Sequence, residues 1–174
     1  MRLLLTAGYD RALHAVALAE LVRRDGHELA AILVVSPFNL ARARALVRQR
    51  GRRFLLQAAR RLAGRLGGAA TDPVERLLDQ HRIEHRSLRA WTREHRVPLR
   101  SVPSLNSQKA IAAACRARAD GVLYGGGGIL GQRFLDAVGG RVLNAHSGPL
   151  PAFRGMNACE WSILLGHPPA VTIH

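Results

Sequence analysis

Asn144 and His146 stand two residues apart in the densest cluster of reactive side chains in the chain, Asn144-Ala145-His146-Ser147-Gly148-Pro149-Leu150-Pro151-Ala152-Phe153-Arg154-Gly155. The run Arg141 to Asn144 predicts a strand, which puts Asn144 at its carboxyl end. Residues two apart on a strand share a face. Open α/β sheets bind ligands outside the carboxyl ends of their strands. An amide N–H and an imidazole aimed at one point suit an oxyanion developing there. The amide donates without carrying charge, and the imidazole donates or relays a proton near neutral pH. The bland alternative is an Asn and a His that cap a turn in a Pro-rich loop.

Two other patterns compete with this pair. Gly126-x-Gly128-x-x-Gly131 follows a predicted strand and precedes a predicted helix, as a dinucleotide fingerprint does. The next strand should then end on an acid for the ribose, but it ends on Asn144, and no acid occurs between Asp136 and Glu160. His81-Arg82-Ile83-Glu84-His85 fits the inverted zinc-peptidase pattern, with two histidines one helical turn apart and Glu84 as base. Its third ligand would have to be Glu160, and its neighbours Gln80, Arg82, Arg86 and Arg89 read as a solvated face. The reading kept here has no metal.

The elements that must position Asn144 and His146 follow from hydrophobic spacing. Arg2–Ala7 is a short apolar run that reads as a buried strand, with a turn at Gly8, Tyr9 and Asp10. Leu13, Val16, Ala17 and Leu21 recur at helical spacing over Ala12–Arg24, and Asp25-Gly26 stops that helix. His27–Ser36 is a second buried strand, so the start is a βαβ unit with parallel pairing. Val74–Glu94 reads as one helix with Leu77, Leu78 and Ile83 inward. Val97–Val102 reads as a strand interrupted by Pro98. Gln108–Arg118 reads as a helix capped by Ser104 or Asn106, with Ile111, Ala112 and Cys115 inward. Asp120–Tyr124 is the next strand, followed by the glycine run Gly125–Gly128 and a short helix, Gln132–Val138. After the Pro/Gly loop come a helix over Asn157–Leu165 and a strand starting at Val171. The expectation is one α/β domain, doubly wound on a mostly parallel sheet, with a basic helical insertion over residues 37–92.

Composition bounds the function. At 174 residues the length suits one α/β domain, and 48% apolar residues exclude a disordered chain. Aromatics at 5% argue against stacking platforms for single strands of nucleic acid. Cys115 and Cys159 make no disulfide framework, which fits a cytoplasmic protein, and no apolar run reaches membrane-spanning length. The formal charge of +14 is concentrated: no Asp or Glu lies between Glu28 and Asp72, a gap holding Arg42, Arg44, Arg48, Arg50, Arg52, Arg53, Arg60, Arg61 and Arg65. Only Lys109 is a lysine, so the Arg bias reflects coding composition as much as function. A solvated face is preferred there over a nucleic-acid footprint or an anionic membrane surface.

The segment Asp120–His174 resembles the catalytic half of the 10-formyltetrahydrofolate-dependent formyltransferase family, closest to its methionyl-tRNA and amino-sugar branch. The matching pieces are Gly121–Tyr124, Gly125–Leu130, Val142–His146, Leu150–Gly155, Trp161, Gly166 and Thr172-Ile173-His174. The resemblance implies that Asn144 and His146 stabilise a tetrahedral intermediate. It also implies that Gly127, Gly128, Ile129 and Leu130 line the pterin pocket of the donor, 10-formyltetrahydrofolate. The acceptor it implies is a small primary amine such as an amino sugar. The tRNA branch carries a further domain, which counts against nucleic acid as partner. Two departures stand out. Where the family reads His-Pro-Ser, this chain has His146-Ser147-Gly148. The family's Asp that orients the imidazole follows the Thr-x-His strand, and the sequence stops at His174. The expectation is therefore a domain incomplete at its carboxyl end. A non-catalytic binding module of the same fold is the alternative.

Overall fold

The structure, a computed structural model, describes residues 1–36, 73–155 and 157–174. The basic residues Arg42 to Arg65 therefore lie outside the described residues, as does most of the expected insertion over residues 37–92. Strand β1 (Arg2–Ala7) has its side chains from Leu3 to Ala7 buried, as a strand covered on both faces must. It pairs in parallel with β2 (Glu28–Val35) on one side and β4 (Gly121–Gly125) on the other. Strand β3 (Leu99–Val102) lies outside β2, and β5 (Val142–His146) lies outside β4, both parallel. Strand β6 (Thr172–Ile173) returns antiparallel against β5. The sheet order is β3-β2-β1-β4-β5-β6. The mostly parallel, doubly wound α/β fold expected from the spacing is the observed one.

The parallel pairs are joined through helices α1 (Leu13–Arg24), α2 (Pro73–Gln80), α3 (Leu88–Glu94), α4 (Gln108–Ala117) and α5 (Gln132–Ala137). Helix α6 (Ala158–Leu164) joins β5 to β6. Two apolar cores result. One packs Leu3, Leu5, Leu29, Ile32 and Val34 against α1, α2 and α3 through Val16, Leu78, Leu88 and Trp91. The other packs Leu4, Leu33, Val35, Val102 and Val122 against α4 and α5 through Ala110, Ala113, Ala114 and Phe134. The β1–β2 register skips Ala30: Leu3 faces Leu29 and Leu4 faces Ala31. That irregularity re-phases β2, so Ala30 and Ala31 face the same core.

The first core is tied together by a buried carboxylate. Glu20 is 5% exposed. Its oxygens accept from Arg23 Nη2 at 2.6 Å, Arg24 Nε at 2.8 Å and Trp91 Nε1 at 2.9 Å. The hydrogen bond from Arg23, with those from Trp91 and Arg24, outweighs desolvation and lowers the Glu20 pKa from 4.5 to about 2. His95 stacks on the Trp91 ring at 4.3 Å and brings its Nε2 within 3.8 Å of Glu20.

Several local expectations are corrected. Residues 74–94 form two helices, because Arg82 adopts φ 52 and breaks the turn. Ile83 stays buried in the break, and Arg86 pairs there with Asp79. The zinc pattern therefore loses its geometry, since His81 and His85 do not share a helical face. His85 Nε2 instead pairs with Glu94 at 3.1 Å. Among the described residues no group of three or more His, Cys, Asp or Glu side chains could hold a metal ion. Leu21 and Leu77 are exposed, and Ala15, Ala19 and Glu20 fill the inward face of α1 instead. Ser107 caps α4 by accepting from Ala110 N, so neither Ser104 nor Asn106 is its cap, and Cys115 is exposed. Among the described residues no helix is long and apolar enough to cross a membrane.

Candidate active site

The sheet order reverses direction between β1 and β4, and the loops leaving these two strands at their carboxyl ends lead to helices in different cores, α1 in the first and α5 in the second. Gly8 and Gly127 meet backbone to backbone: a Cβ on Gly8 would lie 3.6 Å from Gly127 N. Gly126, Gly127 and Gly128 have φ of 102, 122 and 100 degrees, a region costly for any residue with a Cβ. A side chain on Gly127 would also strike Leu105, 2.8 Å from the Cβ position. The glycine run is thus required by backbone conformation and by packing.

Two side chains hold the loop after β4 in shape. Tyr124 Oη donates to Gly128 O at 2.7 Å. Asn106 Nδ2 donates to Ile129 O at 2.9 Å, and Asn106 Oδ1 accepts from Gly131 N at 2.6 Å. Asn106, read from the sequence as a helix cap, is a two-handed clamp across this loop. Replacing it should loosen the loop without touching any reacting group. Asn106→Ala is expected to raise KM for the 10-formyltetrahydrofolate donor that the resemblance implies about tenfold while kcat changes less than about twofold, as read by steady-state kinetics.

The clamped loop forms one wall of a cleft of about 330 Å³ lined by Tyr124, Gly128, Ile129, Leu130, Leu135, Val142, Asn144 and His174. Its size and apolar floor fall within the range for a small-molecule site. Ile129 is 90% exposed at the rim. Of the residues singled out from the sequence, the cleft brings together Gly128, Ile129, Leu130 and Asn144. Gly127 lies behind it, against Val35 and Leu105.

Strand β5 runs two residues further than the spacing predicted and carries both Asn144 and His146, which therefore share a face. His146 Nε2 donates to Phe153 O at 2.9 Å, because a carbonyl can only accept, so the imidazole is turned toward its own loop and does not line the cleft. The loop itself is fastened to β6. Thr172 Oγ1 donates to Gly148 O at 2.8 Å and accepts from Leu150 N at 3.1 Å. The departure at Gly148 has a packing reason. A Cβ there would lie 2.7 Å from the Ala158 Cβ at the start of α6.

From spacing alone His174 reads as structural, the end of a strand. It lines the cleft, and Asn144 Nδ2 lies 2.8 Å from its Nε2. Its ring stands edge-on to that of His146, 6.2 Å away. The signal that could have found it is the period-2 run Thr172-Ile173-His174, once β6 is known to pair with β5.

Comparison with known proteins places the fold. A search of curated protein sequences finds none that matches. Solved structures with the same fold include a phosphoribosylglycinamide formyltransferase from Bacillus halodurans, 20% identical with a TM-score of 0.56, aligned over 100% of this chain and 71% of its own. The enzyme of that name from Anaplasma phagocytophilum is 16% identical with a TM-score of 0.59, over 100% of this chain and 63% of its own. A formyltetrahydrofolate deformylase from Pseudomonas syringae pv. tomato is 18% identical with a TM-score of 0.56, over 99% of this chain and 45% of its own. The profile of the formyl transferase family matches residues 10–174. The chain therefore belongs to the formyl transferase family, a family of enzymes whose formyl donor is 10-formyltetrahydrofolate.

Proposed function

We propose that this chain transfers the formyl group of 10-formyltetrahydrofolate to the primary amine of a small acceptor such as an amino sugar. The observation that carries this reading is the Asn144 amide, set in an apolar cleft against the loop Gly128–Leu130. That floor suits a flat heterocycle. Tyr124 and Asn106 hold the loop's backbone in shape through Gly128 O, Ile129 O and Gly131 N, so the loop meets the ligand without reorganising.

In this mechanism the amine attacks the formyl carbon, a C–N bond forms, and the carbonyl oxygen gains negative charge. Asn144 Nδ2–H donates to that oxygen. His146 turns from Phe153 O toward the reacting atoms, takes the proton lost by the attacking nitrogen and returns it to the departing nitrogen of tetrahydrofolate. The C–N bond to the donor breaks, leaving a formamide on the acceptor.

The test uses the protein expressed from its own reading frame, with 10-formyltetrahydrofolate and a panel of amino sugars and other small amines. The expected result is tetrahydrofolate released in step with a formamide of one acceptor, identified by mass spectrometry. Donor binding without turnover on any amine would favour the binding-module alternative, and donor consumption with water alone would point to hydrolysis.

A further inference from the structure

We propose that His174 is a positioning residue for Asn144, selecting the amide orientation that presents an N–H to the reacting oxygen. This rests on the formyl-transfer reading of the same cleft.

An asparagine beside a developing oxyanion has an orientation problem. Its Nδ2 and Oδ1 ends have nearly the same shape, so packing alone does not distinguish them. One orientation donates to the oxyanion, and the other presents a carbonyl oxygen that repels it. Something polar must choose between them.

His174 is placed to do so by backbone pairing. Asn144 N donates to His174 O at 2.7 Å, and His174 N donates to Asn144 O at 3.0 Å. The two residues thus exchange both bonds of one antiparallel rung, and side chains paired in this way lie on one face of the sheet. Asn144 Nδ2 can only donate, so across their 2.8 Å contact His174 Nε2 is the acceptor. The role proposed for His174 requires the tautomer whose proton is on Nδ1. One amide hydrogen is spent on His174, and the second is left for the cleft that both residues line. The flipped amide would set Oδ1 against Nε2, a contact that is repulsive while the His174 proton is on Nδ1 and favourable only if it moves to Nε2, so the orientation of Asn144 follows the tautomer of His174.

The experiment compares His174→Phe, which keeps a flat ring and loses the acceptor, with His174→Gln, whose Oε1 can accept the same bond. Asn144→Ala is measured alongside. The expected result is a drop in kcat of about tenfold in His174→Phe with little change in donor KM, and recovery of most of that loss in His174→Gln. The ¹⁵N spectrum of the parent should show His174 protonated on Nδ1, and the Asn144 side-chain amide signals should move in His174→Phe and not in His174→Gln. If kcat in His174→Phe stays within about twofold of the parent while Asn144→Ala is severely impaired, the positioning role is wrong and the formyl-transfer reading stands. Equal loss in both His174 variants would likewise overturn it and leave only a structural role. If Asn144→Ala itself retains full activity, the reading of the cleft fails first. Thermal unfolding of each variant separates a folding defect from a kinetic one. Should His174→Phe not fold, the His174 tautomer and the hydrogen-bonded Asn144 amide in the parent spectrum decide the matter.

Discussion

Asn144→Ala is expected to lower kcat for formyl transfer by about two to three orders of magnitude, with donor KM changed less than about threefold. The size follows from the task proposed for the amide. In the ground state the formyl oxygen is a neutral carbonyl, and one hydrogen bond to it is worth little beyond what water offers. In the tetrahedral state the oxygen carries charge, and a fixed donor in an apolar cleft is worth far more than the same donor in water. Leu130, Leu135 and Val142 form that apolar surround. Asn144→Asp should be at least as damaging, because a carboxylate of the same size turns an attractive contact into a repulsive one. Steady-state kinetics on both variants test this, and activity near the parent level in either would remove Asn144 from the chemistry.

Glu20→Gln is expected to destabilise the fold by about 3 kcal/mol near neutral pH. The carboxylate is buried, and Arg23, Arg24 and Trp91 all direct donors at it. The Arg23 hydrogen bond, the largest of these effects, depresses its pKa from 4.5 to about 2. A depressed carboxyl contributes stability that is complete above its unfolded pKa and is lost as pH falls through its folded pKa. The gap between parent and Glu20→Gln should therefore be full above about pH 5 and fall below half its size by about pH 3. Urea unfolding at the two pH values measures it. A gap that does not depend on pH would show that the shape of the side chain matters there and its charge does not.

The sequence made some parts of this molecule plain for physical reasons. The β1–α1–β2 unit was legible because a strand buried on both faces must be a continuous apolar run. That Asn144 and His146 share one face of β5 was legible because strand alternation is strict. Residues 74–94 misled because Leu77, Leu78 and Ile83 keep helical spacing across a break. Tertiary contacts decide that break, with Ile83 buried and Arg86 paired to Asp79. Glu20 gave no signal of its own, since its partner Trp91 lies 71 residues away. Asn106 had the residue type of a cap, but Ser107 took that place and left its amide free to reach across to Ile129 and Gly131. His174 was hidden because its meaning depends on which strand β6 returns to, and local spacing does not encode that.

The antiparallel return of β6 also limits how this protein can diverge. The chain between β5 and β6 runs mostly over the surface, and loops of that kind absorb insertions and deletions at small entropic expense. The rung joining Asn144 and His174 has no such tolerance. A slip of one residue would turn every side chain of β6 to the opposite face. His174 would leave the cleft, and Thr172 would lose its bonds to Gly148 and Leu150. Descendants of this chain are thus free to lengthen or shorten the stretch around α6, for instance to admit a different acceptor. The alignment of Thr172-Ile173-His174 against Asn144-Ala145-His146 must be inherited unchanged.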